Sequence, residues 1–264
     1  MAARAESTAA AAVTWLGHAT TLIEMAAVRV LTDPVVTSRV GPLHNSAAAA
    51  TRDAALLDVD AVLISHVHPD HLHPASLRRL PPDTRVIVPA GAAPVLTRAL
   101  GGRVQVEELT IGQRTKVGST VLEATYAEHK ASRQPRVGRV VCLGFMIGHG
   151  PKVYFAGDTN HFAGMADLGA EDIDLALLPI GGWWVTLGPG HLDPLGAARA
   201  LRLLRPRAVL PIHWGTLRVP GLWRVRPGLQ TRAGSTFAAH AADLSPEVTV
   251  HLPTPGTPIP LPPP

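Results

Sequence analysis

Three imidazoles and one carboxylate fall within six residues: His66, His68, Asp70 and His71, in the run Ile64-Ser65-His66-Val67-His68-Pro69-Asp70-His71. Nitrogen and carboxylate-oxygen donors of this kind suit borderline divalent ions such as zinc, manganese and iron. On a strand, side chains two apart face the same way, so His66 and His68 share a face. In a turn just beyond a strand, all four can converge on one point. The run leading in, DAVLISH (60–66), is apolar and carries no turn-former, so the cluster follows directly on a buried strand. That context separates it from polar residues gathered by chance in a surface loop.

Two stretches of the chain read alike around such clusters. DAVLISH (60–66) is followed by a loop, by a helical pattern from His73-Pro74 to Leu80, and by TRVIVPA (84–90). DLALLPI (174–180) is followed by a loop, by a helix led by His191-Leu192-Asp193-Pro194 and running to Leu204, and by RAVLPIH (207–213). Asp193 is a good N-cap with proline at the first helical position. The pattern predicts an α/β protein with two similar β-rich halves and helices outside. Hairpins are expected over 20–33 and 112–127, and a strand pair over 139–158. Three parts follow: a flexible N-terminus (1–12), one domain (13–252), and a proline-rich tail (253–264) that is extended and lies on the surface or is disordered.

The pattern His66-x-His68-x-Asp70-His71 resembles the HxHxDH signature of the metallo-β-lactamase superfamily. The resemblance implies an αββα sandwich with a binuclear metal site at the strand ends, between the two sheets. It also implies further ligands in order along the chain: His129 in ATYAEH, Asp158 in YFAGDT and His213 in VLPIHWGT. By that likeness His66, His68 and His129 hold one ion, Asp70, His71 and His213 hold the second, and Asp158 bridges both. The implied cofactors are two divalent ions, zinc first, with manganese or iron accepted by the same ligands. The runs TWLGHATTLIE, LTDPVVTSR, AGDTN, LLPIGGWW, GHLDPLGAARAL and PIHWGT resemble the branch that holds N-acyl-phosphatidylethanolamine phospholipase D and the ascorbate-phosphate lactonase. The implied activity is hydrolysis by a metal-bridging hydroxide of a phosphodiester or related ester, with a lactone as the alternative substrate.

In the same likeness Asp70 serves the chemistry as well as the metal. His191 matches the position that contacts the reacting group and donates a proton or hydrogen bond. A loop histidine that steadies the Asp193 cap is the other reading of His191. Metal-bound imidazoles need acceptors that fix their tautomers, and Asp33, ending the strand VRVLTD, is the candidate, against a simple turn aspartate before Pro34. His18 lies far ahead of the ligands, with lining the cleft as its functional reading. Trp183, Trp184 and Trp214 flank the ligand-bearing loops, as pocket wall or as core. His44, His73, His149, His161, His240 and His251 are read as surface or structural.

Bulk composition narrows the classes. The 264 residues are 46% hydrophobic and 17% charged, enough for one large core. The single cysteine, Cys142, lies in an apolar run and excludes both an internal disulfide and a thiolate metal cluster. Without a cysteine cluster or a flavodoxin-like extension, a di-iron oxidoreductase is the weaker alternative, as is a non-catalytic metal-binding module. No window reaches the length of a membrane span, and the N-terminus lacks the build of a secretory signal, so the expected location is cytoplasmic. Net charge is +4. Arginines recurring from Arg199 to Arg232 give a local basic bias that suits a small anionic substrate or a solvated face. No aromatic–basic interleaving points to nucleic acid. The apolar run VPGLW (219–223) suits an interface or a pocket rim.

Overall fold

The computed structural model describes residues 11–25, 27–51, 54–130, 140–148, 150–183, 186–222, 228 and 231–262. The first half begins with an antiparallel meander, β1 (Ala12–Gly17), β2 (Thr20–Met25) and β3 (Val28–Thr32). Two short strands, β4 (Arg39–Val40) and β5 (Leu43–Asn45), then leave the sheet. The chain returns as β6 (Ala61–Leu63), β7 (Arg85–Pro89) and β8 (Gln105–Leu109), each parallel to the strand before it in the sheet. Helices α1 (Pro74–Leu77) and α2 (Ala93–Leu100) lie in the crossovers that parallel neighbours require.

The second half repeats the plan. β9 (Arg114–Val117), β10 (Thr120–Tyr126), β11 (Leu143–Ile147) and β12 (Val153–Phe155) run antiparallel. After α3 (Met165–Leu168) come three strands joined in parallel: β13 (Leu175–Pro179), β14 (Ala208–Ile212) and β16 (Thr249–Val250). Helix α4 (Pro194–Leu204) links β13 to β14, and α5 (Arg232–Leu244) precedes β16. The short β15 (Leu217–Arg218) pairs with β5 and so ties the halves together in a three-stranded sheet. With β17 (Pro258–Pro260) from the C-terminal segment added beside β1, the chain forms two seven-stranded sheets, in the orders β17-β1-β2-β3-β6-β7-β8 and β16-β14-β13-β12-β11-β10-β9.

Three apolar layers hold this arrangement. Leu63, Ile23 and Val30 of the first sheet meet Phe145, Phe155, Leu177 and Leu210 of the second, all buried, between the sheets. Leu77 and Leu96 on α1 and α2 cover the outer face of the first sheet. Leu201 and Phe237 on α4 and α5 cover the outer face of the second. The result is the αββα sandwich. Parallel strands buried on both faces explain the near-continuous apolar runs at Ala61–Ile64 and Leu175–Ile180.

The expected hairpins and the 139–158 strand pair form at β2–β3, β9–β10 and β11–β12. Asp193 caps α4, its Oδ1 accepting from the Gly196 amide at 2.6 Å. Helix α1 is shorter than the helical pattern reaching Leu80, because Pro81-Pro82 follows at once and favours extended backbone ahead of it. The proline-rich tail departs further from expectation. It is extended, but Pro258–Pro260 forms β17 against β1. Alternation explains this: Ile259 and Leu261 point into the inter-sheet core while Pro258 and Pro260 are exposed. Residues 1–10, His149, Trp184, Trp223, Arg224, Arg226 and Pro263-Pro264 lie outside the described residues. No helix among the described residues is long and apolar enough to cross a membrane.

Candidate metal centre

The ligand-type residues sit at the strand ends along one rim of the sandwich. β6 ends at Leu63 and delivers His66, His68, Asp70 and His71 through the loop that follows. His129 lies beyond β10, Asp158 beyond β12 and His213 beyond β14. All seven come together, in two groups. His66, His68, His129 and Asp158 form one; Asp70, His71 and His213 form the other, which His18 joins. Within each group the ligand atoms lie within 4.8 Å of one another.

Asp158 stands between the groups. Its Oδ2 lies 3.8 Å from His66 Nε2 and 3.2 Å from His71 Nε2, and its Oδ1 lies 3.2 Å from His213 Nε2. On the other side, Asp70 Oδ2 is 3.6 Å from His213 Nε2 and 3.8 Å from His71 Nε2.

Hydrogen bonds behind the rings decide which nitrogens face inward. His71 Nδ1 meets Asp33 Oδ2 at 2.6 Å, His129 Nδ1 meets the Gly190 carbonyl at 2.8 Å, and His213 Nδ1 meets the Gly181 carbonyl at 2.9 Å. Ser65 Oγ donates to Asp33 Oδ2 at 2.6 Å and accepts from His66 Nδ1 at 2.9 Å. Each acceptor takes the proton at Nδ1 and leaves the Nε2 lone pair for the centre. Asp33 therefore steadies ligand-type residues of both groups, directly at His71 and through Ser65 at His66. Gly157 makes this packing feasible: it is left-handed (φ +60°), and a Cβ there would lie 2.7 Å from Ser65 Cβ.

This donor set fits cations. The His213 Nε2 lone pair faces Asp158 Oδ1, acceptor against acceptor, and Asp158 Oδ1 is buried without a hydrogen-bond partner. His66 Nε2 and His129 Nε2 converge on His68 Nδ1 at 2.8 and 3.2 Å. Buried lone pairs that point at one another are costly unless a positive charge sits among them.

The carboxylates draw positive charge into the centre. Burial alone disfavours charge on His71, yet the carboxylates of Asp158, Asp33 and Asp70 outweigh it and raise its pKa well above the usual imidazole value. Burial likewise opposes ionisation of Asp158 and Asp70, but the surrounding histidines hold both well below the usual carboxylate range. His66 is pushed well down by burial, and His68 to about 4.

A cavity of about 470 Å³ opens onto these groups, lined by His68, Asp70, Asp158 and His213 on one side. The facing wall comes from one loop, between β13 and α4, and includes Trp183, Leu187 and His191. His191 Nε2 is 3.3 Å from Asp158 Oδ2, and its Nδ1 donates to the Gly188 carbonyl at 3.0 Å. Burial lowers its pKa, but the bond to Asp158 prevails and the net shift is upward. Trp183 is pocket wall; Trp214 is core, stacked on Trp15 with ring centroids 5.6 Å apart. Arg199, Arg202, Arg205 and Arg207 are exposed on and just after α4, and among the described residues no lysine or arginine lines the cavity. These four arginines of the basic bias therefore belong to a solvated face; Arg224 and Arg226 lie outside the described residues.

His18, far from the other ligand-type residues in sequence, joins them in space. It occupies the β1–β2 turn in the left-handed region (φ 51°), and its Nε2 lies 3.1 Å from Asp70 Oδ2. The signal available in sequence was a histidine directly after Gly17 at a strand end, the same placement as the other ligand-type residues.

Comparison with known proteins agrees with this geometry. The model of the β-lactamase superfamily domain matches residues 28–214. A metal-dependent hydrolase from Pyrobaculum calidifontis is 34% identical over 215 residues, covering 76% of this chain and 83% of its own. An N-acyl-phosphatidylethanolamine-hydrolyzing phospholipase D of Caenorhabditis elegans is 32% identical over 231 residues, covering 77% of this chain and 63% of that longer protein. Among solved structures, a metallo hydrolase from Ignicoccus hospitalis superposes with a TM-score of 0.73 at 26% identity, over 95% of this chain and 98% of its own. The chain belongs to the β-lactamase superfamily and stands among its metal-dependent hydrolases of the metallo-β-lactamase fold.

Proposed function

We propose that this chain hydrolyses a phosphodiester or a related ester at a two-metal centre, with His66, His68 and His129 holding one ion, Asp70, His71 and His213 the other, and Asp158 shared. The observation that carries this reading is the place of Asp158 between the groups at the floor of an open cavity, its Oδ2 facing both His66 and His71 and its Oδ1 facing His213. Zinc is the proposed ion, since buried nitrogen and carboxylate donors with fixed tautomers suit it well. When bound, the pair of ions supplies an activated hydroxide and polarises the oxygen of the scissile bond.

The protein's own groups do the rest. Asp70 and Asp158 put negative charge at the floor of the cavity. His191 carries a proton at Nε2, held by Asp158 and oriented by the Gly188 carbonyl, in position to donate to a departing oxygen. Trp183 and Leu187 offer apolar surface to the group flanking the scissile bond. That wall suits a substrate with one negative charge and an apolar flank, as a lipid phosphodiester has, and the worm relative is named for hydrolysing such a lipid. A lactone is the second reading, favoured by the same uncharged wall.

The test pairs elemental analysis with turnover of bis(para-nitrophenyl) phosphate and of a chromogenic lactone. Two metals per chain with metal-dependent phosphodiester cleavage supports the proposal. Faster lactone opening replaces it with the second reading. A fully loaded protein that cleaves neither, or a protein that takes up no metal, sinks it.

A further inference from the structure

The four inward-facing ligand-type rings just described and His18 differ in which nitrogen meets the acceptor that fixes the proton, although His71 Nε2 and His213 Nε2 also lie 3.2 Å from Asp158. In His66, His71, His129 and His213 it is Nδ1, on the side away from the centre. In His18 it is Nε2, and the acceptor is Asp70 Oδ2 itself at 3.1 Å. A neutral imidazole carries one N–H, and the hydrogen-bond partner assigns it. His18 therefore presents a donor to the centre where the other four present lone pairs. A second donor reaches the same oxygen: Trp183 Nε1, at 3.2 Å, from the cavity wall.

The His18 ring is not free to move. Its backbone amide donates to Thr216 Oγ1 at 2.8 Å, and its carbonyl accepts from the His213 amide at 2.8 Å and from Trp15 Nε1 at 2.9 Å. His213 is also left-handed (φ 62°), and the two rings lie 4.0 Å apart, centroid to centroid. The turn that ends β1 is thus bonded to the turn that ends β14. Non-glycine residues held in this region cost energy and persist where their surroundings fix them.

We propose that His18 and Trp183 form a clamp on Asp70, His18 as a positioning residue from the first sheet and Trp183 from the cavity wall, and that this clamp sets the affinity of the second metal position. His18 is then an orienting donor and not a ligand. The proposal rests on the two-metal reading above.

The experiment is calorimetric titration of metal-stripped protein with zinc, for wild type, His18→Phe, His18→Gln and Trp183→Phe, with circular dichroism of each metal-free protein as the check on folding. Wild type takes up two ions. His18→Phe keeps the tighter step and weakens the other by about 10- to 100-fold, the usual range for losing a group that orients a ligand. His18→Gln, whose amide N–H reaches where Nε2 stood, recovers most of that loss. Trp183→Phe keeps the ring and removes only the N–H, and weakens the same step by a smaller factor.

Wild-type affinity at both steps in His18→Phe overturns the clamp. So does a folded His18→Gln as weak as His18→Phe, which would make His18 a ligand. If His18→Phe fails to fold, the glutamine and Trp183 variants decide, and an unchanged weaker step in Trp183→Phe counts against the proposal. Failure of wild type to bind two ions would sink the two-metal reading instead, so the two failures are distinguishable.

Discussion

The two halves of the sandwich use the same strand plan for different work. Each sheet has four antiparallel strands, β17-β1-β2-β3 in one and β9-β10-β11-β12 in the other, followed by three strands joined in parallel. β1 and β10 hold equivalent places in the two sheets, and the segments that follow them carry His18 and His129. The segments after β3 and β12, likewise equivalent, carry Asp33 and Asp158. Of each pair, the second-half residue faces the centre as a ligand-type group, and the first-half residue steadies a neighbour: His18 contacts Asp70 and Asp33 contacts His71. The first half instead concentrates its ligand-type groups in the one loop after β6. Equivalent places in a repeated scaffold have divided into holding and orienting.

That division orders the expected effects of mutation. Asp158→Ala removes the group shared by both clusters, so metal content should fall below two per chain and turnover by on the order of 10³-fold; elemental analysis with steady-state rates checks both. His191→Ala should leave metal content intact and slow the chemical step by about 10²- to 10⁴-fold. A variant turning over at the wild-type rate would remove His191 from the chemistry. Asp33→Asn, the first-half counterpart of the Asp158 change, should weaken zinc binding by only about 10- to 100-fold. If Asp33→Asn proved as damaging as Asp158→Ala, the distinction between holding and orienting would collapse. Gly157→Ala sharpens the comparison least: its Cβ strikes Ser65 and its φ is left-handed. About 1–3 kcal/mol of stability should be lost, read from denaturant midpoints.

The same asymmetry explains what the sequence made legible. His66, His68, Asp70 and His71 announce themselves because four donors crowd into one loop behind an apolar strand. His129, Asp158 and His213 are single polar residues spread along the second half, and nothing local in their sequence marks them. They were placed by family resemblance, and the fold then gathered them. His18 illustrates the limit: its contact with Asp70 spans 52 positions and depends on a hairpin turn in the left-handed region. The strand pattern was readable because buried parallel strands leave long apolar runs. The tail hides its strand because its proline content masks the alternation of Ile259 and Leu261 with exposed neighbours.

That last strand also bears on how the molecule behaves in a crowd. An open sheet edge invites a strand from another chain, since its outer amides and carbonyls lack partners. Here β17 takes the exposed flank of β1 and presents Pro258 and Pro260, which carry no N–H and so cannot donate to an incoming strand. The opposite edge of that sheet, β8, carries Glu107 and Glu108, and β9 on the other sheet carries Arg114 and Lys116. A sequence that looks like a loose appendage is in this sense a guard rail, sealing the sheet against edge-to-edge aggregation.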